Sequence, residues 1–262
     1  MASFVASRDG TRIAYQVAGS GACVILVDGA FCYRAFGPMA KLSAELAPHF
    51  RVVSYDRRAR GESGDSRPYA IEREIEDLAA LIAACGGSAC VYGISSGAAL
   101  ALAAATAGLP ILRLALYEPP FMVGPNARTL PADRLAVLQR MIAADRRGDA
   151  VKYYLCEIIG MPRLMPAVMQ FLPMWKKLKS VAPSLPYDCE IMGDFRLPEE
   201  RARRVGVPTL VLHGSKTWPA LAAAAPALAA AIPGASHRIL QGQTHNVSAA
   251  VMGPVLKDFF KL

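Results

Sequence analysis

The sequence predicts an α/β fold: a mostly parallel eight-stranded sheet flanked by helices, with a helical insertion between strands six and seven. Three observations predict it. Solid apolar runs rich in β-branched residues alternate with segments of helical composition, the pattern of strands buried on both faces of a parallel sheet. One long region, residues 119–204, breaks the alternation with helical stretches only. A glycine-flanked serine, Gly93-Ile94-Ser95-Ser96-Gly97, stands where a strand runs into a helix. The 262-residue chain is 53% hydrophobic and 19% charged, which suffices for a sizeable core and excludes global disorder.

The first segment alternates polar and apolar residues. Ser3 to Ser7 and Arg12 to Val17 flank Arg8-Asp9-Gly10 and read as an antiparallel hairpin. Cys23 to Val27 (CVILV) is the first fully apolar strand. Phe50 to Tyr55, Ala89 to Tyr92, Ile111 to Tyr117, Pro208 to Leu212 and Ser236 to Leu240 complete the set. Helices are expected over Pro38 to Ala47, Ile71 to Ala84, Ser96 to Ala107, Trp218 to Ile232 and Ser248 to Phe260.

The insertion is rich in proline, with helical stretches near 131–147, 148–159 and 163–180. Seven of the ten methionines fall in it. Met161, Met165 and Met169 repeat every four residues and share a face of any helix that contains them. That face packs on the sheet domain, lines an adaptable apolar pocket with Phe171, Leu172 and Trp175, or does both. The expected organisation is a core of residues 1–118 and 205–262 and a cap of residues 119–204.

The formal charge of +8 raises the question of nucleic acid. The basic residues are scattered: Arg57, Arg58 and Arg60; Arg146 and Arg147; Arg201, Arg203 and Arg204. None is interleaved with stacking aromatics, so solvated basic faces are expected, and no nucleic-acid partner. The six cysteines have no CxxC spacing, which argues against a zinc or redox site and suits a reducing cytoplasm. Met1 to Val5 lacks a basic start and a long apolar core, so no secretory signal is expected. The longest apolar stretch, Ala98 to Leu116, is interrupted by Thr106, Gly108, Pro110 and Arg113 and reads as helix plus strand, not as a membrane span. The pattern is compatible with a homo-oligomer.

The chemistry is carried by Ser95. A serine on a tight strand-to-helix turn adopts strained backbone angles, and Gly93 and Gly97 remove the side chains that would clash. The turn raises the hydroxyl above the C-terminal sheet edge. The helix that follows aims free N–H groups at developing negative charge. Serine needs a base. Of the four histidines, His49 lies at the opposite edge and His237 within a strand. His213 ends a strand at the correct edge. His245, in the loop Gly242-Gln243-Thr244-His245-Asn246 after the last strand, is the preferred general base.

The imidazole needs a carboxylate to fix its tautomer. The loop after the His213 strand, Gly214-Ser215-Lys216-Thr217-Trp218, holds none. Glu118, at the end of the preceding strand, is the preferred acid, with Asp194, Glu190 and Asp28 as alternatives. The order Ser95, Glu118, His245 is that of a nucleophile-elbow hydrolase. The oxyanion needs two N–H donors. Ser96 supplies one, and Ala30 or its neighbour Gly29, in the turn Val27-Asp28-Gly29-Ala30-Phe31, the other. No metal ligand cluster or phosphate loop is present in the pattern, so no metal or other cofactor is expected.

From hairpin to last helix the chain resembles the α/β-hydrolase superfamily with a helical cap. Tyr55-Asp56-Arg57-Arg58-Ala59-Arg60-Gly61-Glu62-Ser63-Gly64 resembles that family's D-x-R-G-x-G-x-S turn, with Ala59 where glycine is usual. Asp28-Gly29 where many members have His-Gly, the Ser-Ser-Gly elbow and Glu118 resemble zearalenone-type lactonases. The elbow also resembles those of actinobacterial hydrolases with Y-G-I-S-S-G. The resemblance implies a cofactor-free serine hydrolase of carboxylic esters or lactones, with a Ser95-His245-Glu118 triad. Its substrate would be small and apolar, a bulky or macrocyclic lactone suiting the methionine-rich cap, with Met161, Met165 and Trp175 in contact. The same residues also serve carbon–carbon cleavage, amide hydrolysis and perhydrolysis, and some members of the fold only bind ligands.

Overall fold

A computed structural model describes residues 2–124 and 127–261 of the chain. Its strands are β1 (Ser3–Ala6), β2 (Arg12–Ala18), β3 (Cys23–Val27), β4 (Arg51–Tyr55), β5 (Ala89–Ile94), β6 (Ile111–Tyr117), β7 (Thr209–Gly214) and β8 (Ser236–Leu240). They form one eight-stranded sheet in the order β1-β2-β4-β3-β5-β6-β7-β8. β2 pairs antiparallel with both β1 and β4, and the remaining pairings are parallel. The apolar runs therefore mark the strands because the central ones are covered on both faces; every residue of β3 is buried.

Helices α1 (Met39–Leu46), α2 (Ile71–Ala84) and α3 (Ser96–Thr106) separate the strands of the first half. Helices α4 (Arg134–Ala143), α5 (Arg147–Tyr153), α6 (Leu164–Met169), α7 (Met174–Val181), α8 (Leu185–Met192) and α9 (Glu199–Ala202) lie between β6 and β7, and α10 (Pro219–Ala231) and α11 (Ala249–Phe260) follow. Alternating strand residues feed two cores. Ile25, Val27, Val91 and Leu116 pack with Leu78, Leu81 and Leu100 of α2 and α3 on one face. Leu26, Val52, Tyr92 and Leu212 pack with Leu42, Leu46, Met252 and Leu256 of α1 and α11 on the other. No helix among the described residues is long and apolar enough to cross a membrane.

The insertion departs from the expected helices. The stretch 163–180 splits into α6 and α7 at Pro173, and the stretch 148–159 becomes α5 continued by a π-helical turn, Tyr154–Ile159. α8 and α9 lie outside the expected helical stretches. Pro186 sits in the first turn of α8, where no backbone N–H is needed. The methionine stripe is also out of phase. Met161 lies in the turn after Gly160, ahead of α6, so only Met165 and Met169 share that helix. Met161 and Met169 pack against the core, while Met165 is 48% exposed beside the exposed Leu164, Val168, Phe171 and Leu172.

Candidate active site

β5 passes directly into α3 through Ser95, whose φ of 56° and ψ of −128° lie in a region that side-chain-bearing residues rarely adopt. Two close approaches make the turn possible. A Cβ on Gly93 would fall 2.7 Å from Ala98 Cα, and one on Gly97 would run into the carbonyl oxygens of Val27 and Asp28. Ser95 N–H bonds the Tyr117 carbonyl at 3.0 Å, which joins the elbow to the end of β6. Ser95 itself is half-buried, and the loop after β3 lies against it: a Cβ on Gly29 would sit 3.0 Å from Ser95 Cβ. The first N–H groups of α3, starting with Ser96, have no partner within the helix.

Glu118 follows β6 with a positive φ of 47° and is wholly buried. Its Oε1 accepts the Gly214 N–H at 2.8 Å, and its Oε2 accepts the Thr217 hydroxyl at 2.9 Å. His245 Nδ1 lies 2.6 Å from the same Oε2. Burial alone would raise the Glu118 pKa. The bonds from His245, Gly214 and Thr217 outweigh it and hold the carboxyl below its ordinary value. An ionised carboxylate there makes Nδ1 the protonated ring nitrogen and leaves Nε2 as the base. The loop is braced by Tyr117, whose hydroxyl donates to the Thr244 carbonyl at 2.6 Å, and Trp218 stacks on the His245 ring at 5.8 Å. No hydrogen bond joins Ser95 Oγ to the His245 ring in this conformation, an arrangement common before substrate closes a site.

The other candidates stand elsewhere. His213 is buried and bonds His237 through its Nδ1 at 2.9 Å. Asp194 is exposed and paired with Arg196, and Glu190 lines a cavity of about 580 Å³ between α8, α9 and α3. His49 is exposed beside the start of β4. Asp28 is buried under its own loop, where its Oδ1 accepts the Gly29 N–H at 3.0 Å. That bond occupies the Gly29 N–H. Burial pushes the Asp28 carboxyl up to about 7, against the opposing pull of the Gly29 N–H and Arg60.

Arg57, Arg58 and Arg60 are not a solvated face. All three are buried, because each guanidinium finds carboxylates inside the protein. Arg57 forms a fork on Glu74, 2.7 and 2.9 Å, and reaches Asp188 at 2.9 Å. Arg58 bonds Asp77 and Asp9 at 2.6 Å each. Arg60 spans both oxygens of Asp188 at 2.8 Å each. Asp188 lies on α8 and accepts the Ser96 hydroxyl at 2.7 Å. Burial would raise the Asp188 pKa, but Arg60 and Arg57 hold it below the ordinary value. Sequence reasoning missed Asp188, Thr217 and the buried state of the arginines. The one available signal was three arginines within four residues following a buried strand.

The insertion meets the loop after β3 through Tyr154, whose ring packs edge-on against Phe31 at 5.3 Å. The π-helical turn that starts at Tyr154 is a feature often found beside functional sites. Of the methionines expected to contact substrate, Met165 is 48% exposed and Met161 packs on the core. Trp175 is buried beside Gly148, on a cleft of about 710 Å³ between α5 and α7 that is lined by Arg146, Lys152 and Lys179. The structure thus brings Ser95, Ser96, Gly29, Ala30, Glu118 and His245 to one sheet edge, while Met165 is exposed on α6 and Trp175 lies on the cleft between α5 and α7.

An alpha/beta hydrolase from Sphaerobacter thermophilus DSM 20745 is 48% identical to the chain, with a TM-score of 0.93 over 99% of this chain and 100% of that one. An enol-lactonase from Burkholderia xenovorans LB400 shares the fold at 24% identity and a TM-score of 0.71, over 98% of this chain and 99% of that one. The esterase RhEst1 from Rhodococcus sp. ECU1013 does so at 22% identity and a TM-score of 0.69, over 98% of each chain. None of the curated proteins matches the chain significantly. The family model described as "Alpha/beta hydrolase family" matches residues 17–250. A match of that extent, on a sheet of this strand order with a serine elbow at its edge, makes the chain a member of the alpha/beta hydrolase family.

Proposed function

We propose that the protein is a serine hydrolase of carboxylic esters or lactones working through an acyl-enzyme. Ser95 Oγ attacks the carbonyl carbon while His245 Nε2 takes its proton. The Ala30 and Ser96 N–H groups stabilise the oxyanion. His245 then protonates the leaving alkoxide, and afterwards deprotonates the water that releases the acid. Glu118 stays ionised and keeps the ring oriented. Besides the substrate and that water, these steps use side chains and backbone N–H groups of the chain.

The observation that carries this reading is the Glu118-His245 pair at 2.6 Å, held at the same sheet edge as a serine in a strained elbow. Phe31, Tyr154 and Trp218 give the surroundings an aromatic, apolar character that suits an apolar acyl or lactone group, a macrocyclic lactone included. The insertion between β6 and β7 acts as the cap over it. The test is turnover of p-nitrophenyl esters of increasing chain length, simple lactones and one macrocyclic resorcylic lactone. Hydrolysis that disappears in Ser95→Ala and falls sharply in Glu118→Ala supports the reading. Full activity in Ser95→Ala refutes it, and full activity in Glu118→Ala removes Glu118 from the triad.

A further inference from the structure

We propose that Asp188, on the insertion helix α8, is a positioning residue for the oxyanion hole, holding Ser96 directly and the Gly29-Ala30 peptide through Arg60. The inference rests on the reading of Ser95 as nucleophile with Ala30 and Ser96 N–H groups as its oxyanion donors.

Two chains of contacts start at one carboxylate. On the first, Ser96 Oγ donates to Asp188 Oδ1 at 2.7 Å. Arg57 Nη1 reinforces it, bonding Asp188 Oδ1 at 2.9 Å, Ser96 Oγ at 3.3 Å and the Asp28 carbonyl at 3.2 Å. Ser96 carries the N–H that follows the nucleophile, so a fixed Ser96 side chain fixes the start of α3. On the second, Arg60 Nη2 spans Asp188 Oδ1 and Oδ2, while its Nη1 donates to the Gly29 carbonyl at 2.6 Å and the Cys32 carbonyl at 3.2 Å. Arg60 Nε donates to Ser184, just ahead of α8. In a trans peptide the C=O and N–H point in opposite directions. Pinning the Gly29 carbonyl to Arg60 therefore sets the direction of the Ala30 N–H.

The arrangement fits positioning better than a merely structural tie. The side chains of Arg57, Arg60 and Asp188 are fully buried, so their bonds act in a low-dielectric interior and resist reorientation. Stabilising an oxyanion depends on donors already aimed before charge develops. The same helix has a second anchor that touches neither donor: Tyr187 stacks on Tyr69 at 3.8 Å and its hydroxyl bonds Asp65. α8 thus supplies its own control. The insertion completes the oxyanion site instead of only covering it.

The test measures kcat and KM on p-nitrophenyl butyrate, and inhibition by benzeneboronic acid, whose tetrahedral serine adduct presents an oxygen to the oxyanion hole. Fluorophosphonate labelling, mapped by mass spectrometry, identifies the nucleophile. The variants are Asp188→Asn, Ser96→Ala and Tyr187→Phe. Ser96→Ala removes one hydroxyl and keeps the backbone donor, so it answers the question even if Asp188→Asn does not fold. We expect Ser96→Ala to lower kcat by about tenfold to a hundredfold with KM changed less than about twofold, and boronate affinity to fall by a similar factor. Tyr187→Phe is expected to lower Tm and leave kcat per folded molecule near the wild-type value. A Ser96→Ala enzyme with wild-type kcat and boronate affinity overturns the inference alone, since Ser95 still labels. A wild-type protein whose Ser95 is not labelled overturns the hydrolase reading and this inference with it.

Discussion

Glu118 Oε2 and His245 Nδ1 lie 2.6 Å apart although 127 residues separate them in the chain. They meet because β6 and β7 end side by side and the loop after β8 folds back over both. The loop after β7 carries no acid; instead the last residue of β7 supplies the Gly214 N–H and the loop supplies the Thr217 hydroxyl, which together grip Glu118 just after β6. The acid is therefore oriented by its neighbours before it orients the histidine.

Replacing the acid tests this directly. Glu118→Gln keeps the shape but loses the charge that selects the Nδ1-protonated ring and stabilises the imidazolium. We expect kcat to fall by about 10³- to 10⁴-fold with little change in KM, as for the loss of a triad carboxylate generally. Thr217→Val, which removes one of the three bonds to Glu118, should lower kcat by a smaller factor. Steady-state kinetics on a p-nitrophenyl ester measures both; equal losses in the two variants would contradict the hierarchy.

Asp28 makes stability depend on pH with a definite sign. Its folded-state pKa of about 7 stands above the ordinary 3.8, because burial disfavours the carboxylate. Between those values the folded protein holds a proton that the unfolded chain has released, so this group's contribution is complete at low pH and lost as pH rises toward 7. The loss amounts to about 4 kcal/mol from this group. Asp28→Asn mimics the neutral form. Urea unfolding at pH 4.5, 6 and 8 should show wild type falling relative to Asp28→Asn as pH rises, and parallel curves would show that Asp28 ionises freely.

Ala59 occupies a left-handed conformation, φ 62°, in the turn after β4. The Cβ is strained there, whereas glycine adopts these angles freely. Ala59→Gly should raise unfolding free energy by about 0.5–1 kcal/mol, the relief of strain exceeding the added chain entropy of glycine. A decrease in stability on chemical denaturation would mean that the alanine methyl packs productively.

Gly97→Ala should do the opposite. The added methyl would meet the carbonyl oxygens of Val27 and Asp28, which are backbone atoms within and beside the sheet and cannot rotate away. We expect a loss of about 2–3 kcal/mol, and a loss of activity larger than the unfolded fraction explains, because the displaced atoms belong to the end of β3 and the loop packed against the elbow. Tm together with active-site titration by a fluorophosphonate separates the two effects; wild-type behaviour in both would show that the turn tolerates a side chain.

The sheet was legible because its physics is local. A strand covered on both faces is apolar at most positions, so CVILV at Cys23–Val27 and the runs at β5, β6 and β7 could be marked to within a few residues. The elbow was legible for a similar reason: two backbone approaches closer than a methyl allows demand glycine at Gly93 and Gly97. The insertion was less legible. Its helices are short, proline serves at α8 as a first-turn residue, and the methionine spacing runs across a turn at Gly160 that no periodicity reveals.

From its sequence alone, this chain determined the strand order's raw material, the strained serine turn, and the chain order of Ser95, Glu118 and His245. Those features are set by backbone sterics and by burial pattern, which act over a few residues. Only the tertiary structure decided that Arg57 and Arg60 turn inward, that the Gly29 N–H bonds Asp28, and that Asp188 reaches Ser96 beside the elbow. An arginine is solvated or buried according to whether a carboxylate meets it in the folded interior, and here the partner of Arg57 and Arg60 comes from 131 and 128 residues away.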